Sequence, residues 1–445
     1  MPQTTVQVCE GQQLHMRVPL SAQAIQQPSP SKLRPINITF NGKNGMGMLD
    51  RFVLTEKLLS QHLMLIGGIG SGKTNTFNQI LQNIIPQLSA QDVMIIFDTK
   101  GDFYKEFYKP GDIVISNDST ACGPNGINYW SIIEELLDQS TLKEDVIEIS
   151  NALFAEKLKT AGSNSFFPQA AKDIMSALLY HFAIRKDSLK SDNFTISQTF
   201  NREGLEWYQK TLKTYVNYSA MLSYIPDDAK GQALGVLAEM QQVARSLFVG
   251  NFAKRGNLSI RDLVRKKGGK KIFIEYDIGI GGMLTPIYSL LFDLAIKEAL
   301  CRTKSEGNVF FVCDEFKLLP NLKHIDDAVN FGRSLGIKFM IGVQNVDQII
   351  EIYGENMAKN IFSGFLNQFY FKVGDNSTRN YIKERAGQNR KCTVYKSTGV
   401  QETINVANVI EDWDVANLKL GEAIVSLNSA EPFKFGFSEF IGKKR

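Results

Sequence analysis

The run Gly67-Gly68-Ile69-Gly70-Ser71-Gly72-Lys73-Thr74 constrains this chain more than any other feature. It matches G-x-x-x-x-G-K-[ST] in full. Before it, Leu63-Met64-Leu65-Ile66 is a short apolar run ending in glycine, the pattern of a strand buried on both faces. After it, Phe77, Ile80, Leu81, Ile84, Ile85 and Leu88 recur three or four residues apart. That spacing predicts a helix over residues 73–88, with Pro86 in its last turn. Glycines let the backbone curl so that several N–H groups point at phosphate, and the helix N-terminus adds the positive end of a dipole. In such a loop Lys73 reaches the β- and γ-phosphates and the Thr74 hydroxyl ligates Mg²⁺. ATP with Mg²⁺ is the expected ligand. Residues 93–97 read as the next buried strand, and the β–α–β order predicts a parallel sheet with a right-handed crossover.

A second motif fits the first. Asn308-Val309-Phe310-Phe311-Val312-Cys313 is an apolar strand that ends in Asp314 and Glu315. A buried parallel strand delivers such a pair to the carboxyl edge of the sheet, where the phosphate loop also lies. Asp314 is expected in the Mg²⁺ shell, and Glu315 as the group that orients and activates water. Two acids after an apolar run often only cap a following helix; the phosphate loop turns the pair into a functional signal. Kinases of small metabolites carry phosphate loops too, but their acceptor is the substrate, so an acid placed to activate water favours hydrolysis.

Three further residues leave alternatives open. Asp98, in Asp98-Thr99-Lys100-Gly101-Asp102, ends the strand at 93–97. It reads equally as an outer metal-shell or subunit-contact residue and as a solvated turn residue. Arg333 lies near a helix end, where arginines are commonly solvated or paired with the helix dipole. The alternative is an arginine finger for a neighbouring subunit. Gln344 ends the strand at 338–343, an edge position from which an amide senses γ-phosphate or positions water.

The rest of the chain fits an α/β core with an insertion. At 445 residues, 43% hydrophobic and 22% charged, it holds enough apolar sequence for a sizeable core. Residues 1–60 read as a β-rich N-terminal segment broken by Pro28, Pro30 and Pro35. Residues 61–130 read as the first part of the core, and 131–264 as a mostly helical insertion with helices at 131–137, 143–157, 168–184, 205–224 and 228–248. Within it, 191–199 reads as a loop or linker. Residues 265–445 return to α/β texture, with a helix at 286–301 opening on Pro286 and strands at 271–276, 308–313, 338–343, 367–371, 422–427 and 432–437. Five scattered cysteines and four scattered histidines show neither a zinc spacing nor a disulfide framework. The first residues lack the pattern of a signal peptide, and no window approaches the roughly 18 apolar residues of a membrane span.

In order along the chain, GGIGSGKT at 67–74, DTKGD at 98–102, FFVCDEF at 310–316, GRSLGI at 332–337 and Gln344 in GVQN resemble the type IV coupling proteins. These are the TraG/TraD-type conjugative DNA transfer ATPases of the FtsK/HerA group. FPQAAKDIMSALLY at 167–180 is similar to the start of that family's all-α domain, Asn128-Tyr129-Trp130 to the turn before it, and LGEAIVSLNSAEPFKF at 420–435 to its closing strands. The resemblance covers roughly residues 45–440. It implies a RecA-like P-loop NTPase, with a mainly parallel sheet flanked by helices and an all-α inserted domain, working as a homo-hexamer. By position it makes Glu315 the catalytic glutamate, Arg333 a trans-acting arginine and Gln344 a nucleotide sensor. It implies ATP-driven passage of single-stranded DNA, with an attached relaxase or other transferred protein, into a type IV secretion channel. The family's N-terminal transmembrane pair has no counterpart here, so the expected location is cytoplasmic, docked at the inner face of the membrane through a separate anchor protein. Asp102 stands where Glu is common in the third motif.

A net charge of +4 is too small for a chain that coats nucleic acid all over, so DNA contacts must be local. Two basic runs qualify: residues 265–271, and Arg385, Arg390, Lys391 and Lys396 with Tyr395. Both are also ordinary as solvated turns, and Lys443-Lys444-Arg445 reads as a frayed end. A HerA-like translocase of repair or defence, a secretion ATPase that ignores DNA, and a non-hydrolysing nucleotide-binding scaffold are the competing functions.

Overall fold

The computed structural model describes residues 3–27, 35–118, 129–136, 138–301, 307–396 and 400–442. Pro28, Pro30, Cys122, Asn128 and the 443–445 tail lie outside the described residues.

The apolar runs form one sheet of eleven strands. Across it lie, in order, Leu49–Leu54, Ile38–Asn44, Ala430–Phe437, Glu422–Leu427, Asn367–Phe371, Leu63–Ile66, Ile337–Val343, Val309–Cys313, Val93–Asp98, Lys270–Glu275 and Ile113–Ile115. The seven from Asn367–Phe371 onward are parallel. The other four extend the sheet antiparallel. The parallel strands are mostly apolar because both faces are covered, with Lys271, Lys338, Asn367 and Gln368 as buried polar exceptions. Met64 and Ile66 belong to one core, and Leu63 and Leu65 to the other. Successive side chains of a strand point to opposite faces, which is why a mostly apolar run is required here.

The helix Lys73–Ile84 packs Phe77, Ile80, Leu81 and Ile84 into the core that also holds Phe40, Phe52, Phe433, Phe435 and Phe437. A 3₁₀ turn, Ile85–Gln87, ends it at Pro86. On the opposite face stand the helices Leu142–Thr160, Phe166–Ile184, Asn193–Arg202, Leu205–Thr214 and Lys230–Leu247. Tyr129–Trp130 pairs with Gly256–Leu258. Buried Asn193 donates to the carbonyls of Trp130 and Phe252, both at 3.0 Å, and accepts from the Ile132 N–H. Arg261 binds Asp145 at 2.7 Å and Glu298 at 3.2 Å, and Lys297 reaches Asp145 at 2.9 Å, so the first long helix is tied to helix Gly281–Leu300 of the sheet.

Several elements differ from the sequence reading. Residues 191–199 are not a loop: Asp192 caps helix Asn193–Arg202 by accepting the Thr195 N–H, and Ile196 and Phe200 are buried. Residues 205–224 are not one helix but an α-helix followed by a 3₁₀ segment, Val216–Tyr224. Pro286 does not open its helix. The helix starts at Gly281, and the Thr285 hydroxyl donates to the Gly281 carbonyl one turn back, at 3.1 Å. The strands Gln388–Lys396 and Val400–Asn408 form a hairpin that pairs with Gln3–Glu10. This second sheet escaped the reading because its charges obscured its alternation.

Candidate nucleotide site

The carboxyl ends of the central parallel strands all deliver polar residues to one edge. Leu63–Ile66 opens into the phosphate loop. Gly67 is tied to the neighbouring strand by its N–H to the Val343 carbonyl (3.1 Å), and Gly68 by its N–H to the Lys372 carbonyl (2.9 Å). The glycines are sterically required where the loop is tightest. A Cβ on Gly67 would meet Phe371 Cβ at 2.5 Å, and Gly72 adopts φ +114° with Gly421 Cα only 2.9 Å from where its Cβ would sit. Gly70 is left-handed as well, at φ +70°. Ile69 sits at the exposed tip.

Lys73 folds its ammonium back over the loop, donating to the Gly67 carbonyl at 2.5 Å and the Gly68 carbonyl at 3.1 Å. The Thr74 hydroxyl donates to Asp314 Oδ2 at 2.7 Å. Gln344 Nε2 donates to Glu315 Oε2 at 2.6 Å. Lysine, threonine, both acids and the glutamine thus converge from three adjacent strands. Burial pulls the Lys73 ammonium below its ordinary pKa, against the opposing pull of Asp314 and Glu315. Burial pushes Asp314 above the usual carboxylate range, against the Thr74 hydrogen bond and the Lys73 charge.

These residues fit a magnesium nucleotide. The Thr74 hydroxyl and Asp314 carboxylate are the hard oxygen donors that Mg²⁺ takes. The Ser71 hydroxyl and Glu315 Oε1 are buried with no hydrogen-bond partner among the described residues. Buried polar atoms are normally satisfied, so both are suited to an incoming phosphate or water. The neighbouring strand Ile337–Val343 must run close for this. A Cβ on Gly342 would lie 2.1 Å from the Asp314 carbonyl oxygen. Gly342→Ala is therefore expected to lower stability by about 1–3 kcal/mol through overpacking and to displace Asp314. Urea unfolding and nucleotide titration check this; an unshifted midpoint with normal binding would show that the strand accommodates the methyl.

Two predicted residues are not brought into this cluster. The Asp98 carboxylate is buried and accepts the N–H groups of Lys100 (3.3 Å) and Tyr104 (2.7 Å), so its oxygens hold the following turn. Arg333 is exposed in the turn Gly332–Leu335, which precedes strand Ile337–Val343 and so lies at the amino edge, opposite its own phosphate loop. Two lysines were missed by the sequence reading. Lys317 Nζ lies 3.8 Å from Glu315, and Lys100 acts by its charge on both Lys73 and Asp314. Lys100 stood inside a motif already singled out, whereas nothing local marks Lys317. Four residues of the basic runs are paired internally: Arg265 with Glu298 (2.7 Å), Lys266 with Asp262 (2.6 Å), Lys271 with Asp112 (2.8 Å) and Arg390 with Glu10 (2.9 Å).

Fold and site together define a RecA-like phosphate-loop NTPase carrying a helical domain. Residues 51–436 match the type IV secretion-system coupling protein DNA-binding domain, and the chain belongs to that family. It is 22% identical to coupling protein TraD of Escherichia coli (strain K12) over 337 residues, covering 74% of this chain and 44% of TraD. To the type IV secretion system-coupling protein VirD4 of Bartonella quintana (strain Toulouse) it is 21% identical over 92% of this chain and 67% of VirD4. The fold matches plasmid coupling protein TrwB in complex with ADP and Mg²⁺ with a TM-score of 0.72, at 16% identity, over 96% of this chain and 92% of that one. The chain thus spans under half the length of TraD. Among the described residues, no helix is long and apolar enough to cross a membrane.

Proposed function

We propose that this chain is an ATP-driven DNA translocase that acts as the coupling protein of a conjugative type IV secretion system. One observation supports it above the others: Lys73, Thr74, Asp314, Glu315 and Gln344 meet at one sheet edge in a chain of the coupling-protein family. The motor is assigned to residues 61–130 and 265–445, and the helical insertion to 131–264.

In this reading the phosphate-loop N–H groups and Lys73 hold the nucleotide phosphates. Thr74 and Asp314 hold Mg²⁺, which when bound neutralises charge on the phosphate oxygens. Glu315 takes the proton of the attacking water, and Gln344 fixes the carboxylate that does so. Arg333 completes the site of the adjacent subunit in a homo-hexameric ring. The cargo is single-stranded DNA with an attached relaxase or other protein, delivered to a secretion channel at the inner face of the cell membrane through a channel or anchor protein. ATP turnover measured with and without single-stranded DNA tests the reading. Turnover several-fold higher with DNA is the expected result. Turnover indifferent to both single- and double-stranded DNA would favour a protein-secretion ATPase.

A further inference from the structure

Just before strand Leu63–Ile66 the chain turns through His62 in the left-handed region, at φ +59°. Few residues other than glycine take that conformation, and histidine is among those that do so most readily. Of the four described non-glycine residues with positive φ, His62 alone is buried. Its backbone is fixed on both sides. The N–H donates to the Leu59 carbonyl at 3.1 Å, and the carbonyl accepts the Asn367 side-chain N–H at 2.9 Å.

The ring has a defined protonation. Burial pulls its pKa down to about 3, against the Val329 hydrogen bond and with the Lys338 and Arg333 charges adding to the fall. A neutral imidazole offers one donor and one acceptor. The Phe339 N–H can only donate, and it does so to Nδ1 at 3.1 Å. Nε2 therefore carries the proton and donates to the Val329 carbonyl at 3.1 Å. These two partners belong to different elements. Phe339 lies in strand Ile337–Val343, one residue before its ladder with Leu63–Ile66 begins at Met340. Val329 lies in the last turn of helix Ile325–Phe331, where carbonyls run out of intrahelical donors. Arg333 follows one helical turn later, in the 3₁₀ segment Gly332–Leu335. Packing at this helix end is close: a Cβ on Gly364 would meet Val329 Cγ2 at 2.7 Å, and one on Gly332 would meet Ile337 Cδ1 at 2.9 Å. Arg333 is exposed, and the backbone turn that carries it sets where its guanidinium can reach.

We propose that His62 is a positioning residue for Arg333, holding the end of helix Ile325–Phe331 through Val329 so that the arginine meets the neighbouring subunit's nucleotide. The assignment rests on the reading of Arg333 as a trans-acting arginine.

Two substitutions separate the bonds of the ring. His62→Asn keeps an acceptor near the Nδ1 position and tolerates the left-handed backbone, but is too short for Val329. His62→Gln keeps an amide donor near the Nε2 position. The Asn variant should lose about tenfold to hundredfold in ATP turnover, the scale of a misplacement of about 1 Å, with nucleotide affinity within a few-fold of wild type. The Gln variant should stay within about fivefold of wild type. Asn turnover within a few-fold of wild type, or an equal loss in Gln, would overturn the proposal. Mixing then locates the defect, because a complete site takes Lys73 from one subunit and Arg333 from the next. His62→Asn should regain turnover with Lys73→Ala and none with Arg333→Ala. The reverse pattern would put the defect in the subunit's own nucleotide site and overturn the proposal alone. Failure of Arg333→Ala and Lys73→Ala to complement each other would remove the trans-acting arginine, and the role of His62 with it. If urea unfolding shows that His62→Asn does not fold, the Gln variant decides: a folded Gln protein that has lost more than about tenfold in turnover still keeps its Val329 donor, and sinks the assignment.

Discussion

Glu315→Gln is expected to lower ATP turnover by about 10²–10⁴-fold, the usual range for loss of a general base, while nucleotide affinity stays within a few-fold of wild type. The separation follows from the hydrogen bonds. Lys73, Thr74 and Asp314 form the phosphate and metal side of the site, and their contacts with one another do not pass through Glu315. Glu315 is held by Gln344 at 2.6 Å, and its second oxygen is buried without a hydrogen-bond partner among the described residues. The amide of the variant keeps the shape and can still pair with Gln344, but it cannot take a proton. Phosphate release at saturating ATP, set against equilibrium binding, measures the two properties separately. Turnover within tenfold of wild type would remove Glu315 from the chemistry. Parallel loss of binding would make it a structural residue of the pocket.

The second large effect concerns Arg333. The seven-residue strand Ile337–Val343 separates it from the phosphate-loop edge, about 20 Å at the usual rise per residue. No rotamer of an arginine spans that distance, so Arg333 can act on a nucleotide only from outside, on the site of a neighbour. Homomeric Arg333→Ala should lose about 10³-fold or more in turnover, as arginine-finger variants do. Homomeric Lys73→Ala should be equally inactive, for lack of a phosphate ligand. In a ring whose subunits meet head to tail, an equal mixture of the two variants recreates complete sites at about a quarter of the interfaces. Turnover should therefore reappear on mixing and peak near equal proportions. Absence of recovery at every ratio would leave Arg333 a solvated residue of its own turn.

The local motifs were legible because their chemistry depends on sequence neighbours. A phosphate loop needs its glycines, lysine and threonine consecutively, and the acids need only the strand before them, so Gly67 to Thr74, Asp314 and Glu315 stood in plain view. Buried parallel strands were equally visible, since a strand covered on both faces must be apolar over most of its length. Asp98 was ambiguous for the opposite reason. Its role depends on where a turn's N–H groups point, and Lys100 and Tyr104 turn theirs toward it. Helix Asn193–Arg202 was hidden by polar composition, with only its Asp192 cap to announce it.

By itself the sequence determined that one edge of a parallel sheet would carry a phosphate cradle and a pair of acids, because each is set by residues adjacent in the chain. Tertiary structure alone decided that residues 38–54 lie against 430–437 and that Gly421 meets Ser71 from 350 positions away. It also decided that Arg333 stands at the far end of its strand from its own loop. Those facts come from the order in which strands pair, and hydrogen bonds between backbones carry no record of sequence distance.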